Sequence, residues 1–238
     1  MTRRPRIVVV VQARMSSQRF PGKVLTDVLG SPMLGHLLDR LEQCKESDGL
    51  VVATSDASDD DAVAAYAAGR GIACHRGNLD DVAGRMISAA EAMDADALVR
   101  VSGDSPLLDP ALVDEAVRLF RDRRVDLVTN VQQRTFPKGQ SVEVVSLPAL
   151  HAAWSKGMTT DECEHVTKHF YDHAGGYAIF NMVHEPACGD IQLSVDTPED
   201  LRRVRGILGR LGAPYHQHRL SDMLGVLNEI PREPQCSA

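Results

Sequence analysis

Arg14, Arg19 and Lys23 fall in one short stretch, QARMSSQRFPGKVL, that contains no acid. Arginine offers a planar fork of donors matched to phosphate oxygens, and lysine a compact point charge. Ser16, Ser17 and the loop amides add neutral donors, and Gly22 lets backbone approach a ligand closely. Two carboxylates stand far away in sequence, Asp104 in VRVSGDSPLLDP and Asp196 in SVDTPEDL. Two carboxylates and the oxygens of a polyphosphate make the octahedral, all-oxygen shell that Mg2+ favours. Cations and acids together point to nucleotidyl transfer, in which charge on an α-phosphate and on departing pyrophosphate must be neutralised. The loop is not a Walker A sequence, because RFPGKV lacks the upstream glycine and the Ser/Thr after lysine.

Such residues act only if the fold brings them together. The cationic loop follows four consecutive valines, Val8 to Val11, a run that reads as a strand buried on both faces. Strand-like and helical segments then alternate. Strands are expected at Ile7–Val11, Leu50–Thr54, Ile72–His75, Ala97–Asp104 and Val125–Asn130, and helices near Pro32–Cys44, Asp59–Gly69, Asp80–Met93 and Pro110–Phe120. That rhythm predicts right-handed βαβ units and a mainly parallel sheet with helices on both faces. In such sheets ligands lie beyond the carboxyl ends of the strands, where Gln12–Lys23, Thr54–Asp61 and Ser102–Asp104 would converge. Asp196 is expected to end a further strand, with Thr197 capping the next helix and Pro198 in its first turn. Asp109, just before Pro110, also reads as a helix cap. The rhythm breaks over residues 131–190, which read as an inserted antiparallel and helical sub-region. One domain is expected over residues 1–225, with a tail at 226–238.

The totals narrow the class. The chain has 238 residues and a net charge of −7, so a nucleic-acid partner is not expected. No apolar run approaches the roughly 20 residues of a membrane span. The run Ile7–Val11 is shorter than the roughly 7–15 residues of a signal h-region, and a cytoplasmic protein is expected. The five cysteines are scattered without a CxxC pair, which fits reduced structural thiols. His165, His169 and His173 stand four apart in CEHVTKHFYDH, a spacing that zinc accepts, but HExxH is absent. They read as a polar helix face lining a cleft or an interface.

With these residues in place, the sequence resembles the cytidylyltransferases that activate acidic sugars such as Kdo and neuraminic acid. It is closest to the spore-coat-polysaccharide, SpsF-like type, whose loop typically reads QARMSSTRLPGKVL. VATS (Val52–Ser55), RGNLDDVAGR (Arg76–Arg85), VRVSGDSPLLDP (Val99–Pro110), EHVT (Glu164–Thr167) and SVDTPEDL (Ser194–Leu201) match in the same order. The resemblance implies the three-layer α/β/α nucleotide-diphospho-sugar transferase fold, which is Rossmann-like. It also implies transfer of CMP from CTP to a sugar, with Mg2+ as cofactor, in a homodimer. On this resemblance Arg14, Arg19, Lys23 and Asp104 are catalytic, and Asp104 and Asp196 hold the metal. Gln12, Ala13, Arg14, Ser16, Lys23, Thr54, Ser55, Arg76, Asp80 and Ser102 surround the nucleotide. Glu143, Glu164 and His165 meet the acceptor, and the 131–190 region binds the acceptor and a second subunit.

Three departures concern the acceptor side. Ser102-Gly103-Asp104 replaces a Gln-Gly-Asp common in the acidic-sugar enzymes. Cys163 stands where the SpsF-like segment carries arginine, and Ser141 replaces the acid of a P-x-G-x-D-x-E pattern. Two other readings stay open on the residues: a glycosyltransferase using a nucleotide-sugar donor, and a non-catalytic nucleotide-binding protein of polysaccharide assembly.

Overall fold

The computed structural model describes residues 3–229. Val8, Val9, Val10 and Val11 are all fully buried. They form the strand β1 (Ile7–Gln12), an interior strand of a seven-stranded sheet. Side chains alternate across a strand, so Val9 and Val11 enter one hydrophobic core while Val8 and Val10 enter another. A two-residue hairpin, β2 (Asp27–Val28) and β3 (Ser31–Pro32), leads into α1 (Met33–Leu41). Then come β4 (Gly49–Ser55), α2 (Asp61–Gly69), β5 (Ala73–Gly77), α3 (Val82–Glu91), β6 (Ala97–Ser102) and α4 (Pro110–Arg123).

The chain continues through β7 (Leu127–Thr129), β8 (Glu143–Ser146), α5 (Leu147–Ser155), α6 (Thr160–His165), α7 (Lys168–Asp172) and β9 (Ile179–Asn181). It closes with α8 (Pro198–Leu211) and α9 (Leu220–Glu229). The sheet order is β5-β4-β1-β6-β8-β7-β9. Within this sheet β8 runs antiparallel to its two neighbours, and the other pairs are parallel. The core on one face takes apolar residues of α1, α2, α4, α8 and α9, and the core on the other takes those of α3, α5 and α7. This is the expected three-layer, mostly parallel architecture.

Residues 131–190 are woven into the main sheet and do not stand apart. β8 enters between β6 and β7, and β9 forms the edge beyond β7. The stretch ending in Asp196 is not a strand. It makes one bridge, Gln192 to Lys138, and then hangs on single backbone bonds: Leu193 N donates to Lys138 O, and Val195 N to Asp104 O, both at 2.8 Å. Gly139 permits that path. Its φ is +89°, and a Cβ there would lie 2.4 Å from the Ser194 nitrogen. The expected tail begins inside α9, since residues 226–229 are helical. Residues 230–238, with Cys236, lie outside the described residues.

The local punctuation follows the sequence. Asp109 caps α4, its Oδ1 accepting from Ala111 N at 2.9 Å. Thr197 and Asp200 form a reciprocal capping box on α8, with Pro198 in the first turn. Thr197→Ala is expected to lower stability by about 1 kcal/mol through loss of that cap. In a thermal melt this reads as a fall of about 2–4 °C in Tm. The four described cysteines are free, and burial raises each thiol, Cys44 to about 12, which disfavours the thiolate. Among the described residues, no helix is long and apolar enough to cross a membrane.

Candidate functional site

A cleft of about 990 Å3 opens beyond the carboxyl ends of β1 and β6. It suits a ligand of nucleotide size. The loop after β1 forms one wall. Its path is set from behind by Asp60, which is buried and accepts from Met15 N at 2.6 Å and Ser55 N at 3.1 Å. Gly22 takes φ +71° and turns the chain so that Lys23 points inward. Gly103 brings the end of β6 against β1: its N–H donates to Gln12 O at 2.8 Å, and a Cβ would lie 3.0 Å from that oxygen and from the Ala13 Cβ.

Lys23 is the pivot. It is 8% exposed, and its Nζ donates to Asp104 Oδ2 at 3.0 Å, Asp196 Oδ1 at 3.2 Å and Val195 O at 2.7 Å. Arg19 Nη2 reaches the same Asp196 oxygen at 3.0 Å, from a side chain that is 70% exposed. Two acids separated by 92 positions therefore meet at one ammonium, and the backbone bond from Val195 to Asp104 fixes their spacing. Across the cleft, Arg14 pairs with Glu164 of α6 through both guanidinium ends. Each loop cation thus holds a carboxylate of the same site, and an entering polyanion would compete with those carboxylates for it.

Of the expected site residues, Gln12, Ala13, Arg14, Ser16, Arg19 and Lys23 line this cleft. So do Asp80, Ser102, Asp104, Glu164, His165 and Asp196. Four others do not. Thr54 and Ser55 are fully buried in β4, where Ser55 bonds Asp60. Arg76 turns away as a strut, donating to the Ser55 and Ala57 carbonyls and pairing with Asp61 at 2.6 Å. Glu143 is 3% exposed behind the wall, where it accepts from Arg100 Nη1 at 2.7 Å, from the Thr167 hydroxyl at 2.6 Å and from the Tyr171 hydroxyl. Burial and this carboxylate push the Tyr171 phenol up, so it stays a donor.

Two cleft residues lie within the matching segments but received no role from the sequence. Arg100, in β6, lines the cleft and also donates to Gln12 Oε1 at 3.4 Å. An arginine inside the apolar strand ALVRVS was the available signal. Arg85, 3% exposed on α3, braces the β5–α3 turn through the carbonyls of Asn78 and Leu79. The histidine stripe is broken. α6 ends at His165, Val166 adopts φ +55°, and α7 begins at Lys168, so His165 faces the cleft while His169 and His173 gather around Glu162.

Comparison with known proteins gives the family and the fold. Residues 8–208 match the family described as cytidylyltransferase. The chain is 29% identical over 233 residues to the spore coat polysaccharide biosynthesis protein SpsF of Bacillus subtilis, covering 94% of this chain and 95% of that one. It is 37% identical over 115 residues to a 3-deoxy-manno-octulosonate cytidylyltransferase of Geobacter metallireducens, a match spanning 47% of this chain and 43% of the relative. A solved cytidylyltransferase structure from Leptospira borgpetersenii superposes with a TM-score of 0.90 at 28% identity, covering 94% of both chains.

Proposed function

The chain belongs to the cytidylyltransferase family, and from that membership we propose that it transfers CMP from CTP to an acidic sugar, releasing pyrophosphate, in the making of a polysaccharide precursor. The observation that carries this reading is the meeting of Asp104 and Asp196 on Lys23, beside Arg14 and Arg19, at the sheet's ligand edge. A hydroxyl oxygen of the acceptor forms a bond to the α-phosphorus, the bond from that phosphorus to the bridging oxygen breaks, and the hydroxyl proton passes to solvent. Lys23 and the two arginines bind the triphosphate and neutralise the charge that grows on pyrophosphate as it departs. Arg19, on an exposed arm, can follow the phosphates, whereas Lys23 is fixed. Glu164 and His165 on α6 face the acceptor.

The donor set fits a hard divalent cation. Both carboxylates are partly open to the cleft, with side chains 23% and 28% exposed, they share the Lys23 ammonium that a bound cation would displace in part, and no Cys or Met lines the cleft among the described residues. Asp104 and Asp196 would hold Mg2+, which supplies charge neutralisation at the phosphates when bound. A homodimer, on the family resemblance, and a cytoplasmic location, on the short apolar run Ile7–Val11, complete the reading.

Incubation of the purified chain with CTP, Mg2+ and a panel of keto-acid sugars tests it. One acceptor should give pyrophosphate in equal amount to CMP-sugar, and UTP, ATP and GTP should not replace CTP. Tight CTP binding with no pyrophosphate from any acceptor would sink the enzymatic reading, and cleavage of a nucleotide-sugar in its place would favour a glycosyltransferase.

A further inference from the structure

We propose that Glu162, His169 and His173 form a binding site for a divalent transition metal of the zinc class, separate from the cleft and joining α6 to α7. The three ligand atoms, one carboxylate oxygen and two imidazole nitrogens, lie within 4.8 Å of one another. Glu162 Oε1 is 2.7 Å from His169 Nδ1 and 3.4 Å from His173 Nε2. Tetrahedral zinc with bonds of about 2.0–2.1 Å sets its ligands about 3.4 Å apart. The second distance already suits this, and the first needs the His169 ring to back away by a few tenths of an ångström.

The surroundings are those of a ligand set. Glu162 is buried, and its other oxygen is saturated by the Thr159 amide at 2.8 Å and hydroxyl at 2.9 Å, which leaves Oε1 as the free donor. His169 Nε2 lies 3.1 Å from the Tyr177 hydroxyl. An outer partner of that kind fixes which nitrogen of a metal-bound histidine faces inward. On binding, the proton that Nδ1 shares with Glu162 moves to Nε2, which then donates to Tyr177. His173 is 58% exposed and supplies the entry path, with water as the fourth ligand. Two imidazoles and one carboxylate select zinc-like ions over Mg2+.

The site has a place in the fold. The chain between α6 and α7 passes through Val166, buried at φ +55°. Glu162 lies before that break and both histidines after it, so one ion would tie the two helices across it. α6 also carries Glu164 and His165 into the cleft. This inference stands apart from the CTP reading and fails or holds independently of it.

The test is calorimetric titration of ZnCl2 into the full chain, first stripped with EDTA, alongside thermal melts. One site with Kd of about 1 µM or tighter is expected, together with a zinc-dependent rise in Tm. Co2+ should give the intense visible bands of a tetrahedral site, and excess MgCl2 should not compete. His173→Ala, at an exposed position, should melt like the metal-free parent yet bind zinc at least about 100-fold more weakly, and Tyr177→Phe about 10-fold more weakly. Asp104→Asn should bind zinc unchanged, which separates this site from the cleft. Absence of stoichiometric zinc, or zinc binding unaffected by His173→Ala, would overturn the proposal and leave an ordinary hydrogen-bonded cluster.

Discussion

Asp104→Asn is expected to cut the rate of pyrophosphate release by about 10²–10³-fold while leaving the fold intact. The substitution keeps the side chain's shape and removes one charge. Position 104 is held by backbone, through Gly103 N to Gln12 O and Val195 N to Asp104 O, so the turn should not move. Lys23 keeps Asp196 and the Val195 carbonyl as partners, and the altered side chain is 23% exposed, so stability should change by less than about 1 kcal/mol. The loss should therefore fall on chemistry. Two measurements separate the roles of the carboxylate. CTP affinity without divalent cation should be unchanged or higher, because one repelling charge has gone. The Mg2+ concentration for half-maximal rate should rise, because one of two oxygen ligands has weakened. Asp196→Asn should act in the same direction and also free Arg19. Turnover that survives Asp104→Asn intact would remove this residue from the site.

Much of this site was legible from residue type and place. Four valines in a row could only be a strand buried on both faces, and such a strand fixes where its following loop must lie. Two of the acids, Asp104 and Asp109, declared themselves by their turn and cap contexts. The path of Asp196 did not. IQLSVD alternates like a strand, but its neighbours are the 104 turn and the Lys138 loop, which offer one carbonyl each and no continuous edge. Thr54, Ser55 and Arg76 were correctly close to a strand end yet serve as backing, because Asp60 and the carbonyls of the β4 turn claim Ser55 and Arg76. Helical spacing put three histidines on one stripe, and the positive φ at Val166, which β-branched residues rarely adopt, divided them. Glu143 needed knowledge of strand pairing: only when β8 enters antiparallel beside β6 does it stand opposite Arg100.

That pairing leads to the second large effect. Glu143→Gln is expected to destabilise the protein by about 3–5 kcal/mol, the cost of leaving one member of a buried ion pair without its partner. A chain of this size loses about 2–4 °C of Tm per kcal/mol, so a fall of about 10 °C is the reading in a melt. The carboxylate has three partners, and glutamine can keep all three only if both hydroxyls reverse from donors to acceptors. One oxygen now takes both the Thr167 and Tyr171 hydroxyls, and the other takes Arg100. With its oxygen on Arg100, the amide turns its NH2 to the hydroxyls and leaves the guanidinium without a counter-charge. The functional consequence runs through Arg100, which lines the cleft wall beside Ser102 and is held there by Glu143. KM for the acceptor should therefore rise about 10-fold or more, and KM for CTP should rise less, since this network reaches the nucleotide side only through the 3.4 Å contact from Arg100 to Gln12. The double variant Arg100→Met, Glu143→Leu separates stability from positioning. An apolar pair of similar volume should recover most of the lost Tm, because neither charge is left buried alone. It should not recover acceptor affinity, because the guanidinium that faces the cleft is gone. Recovery of both would show that Arg100 serves the fold and not the acceptor.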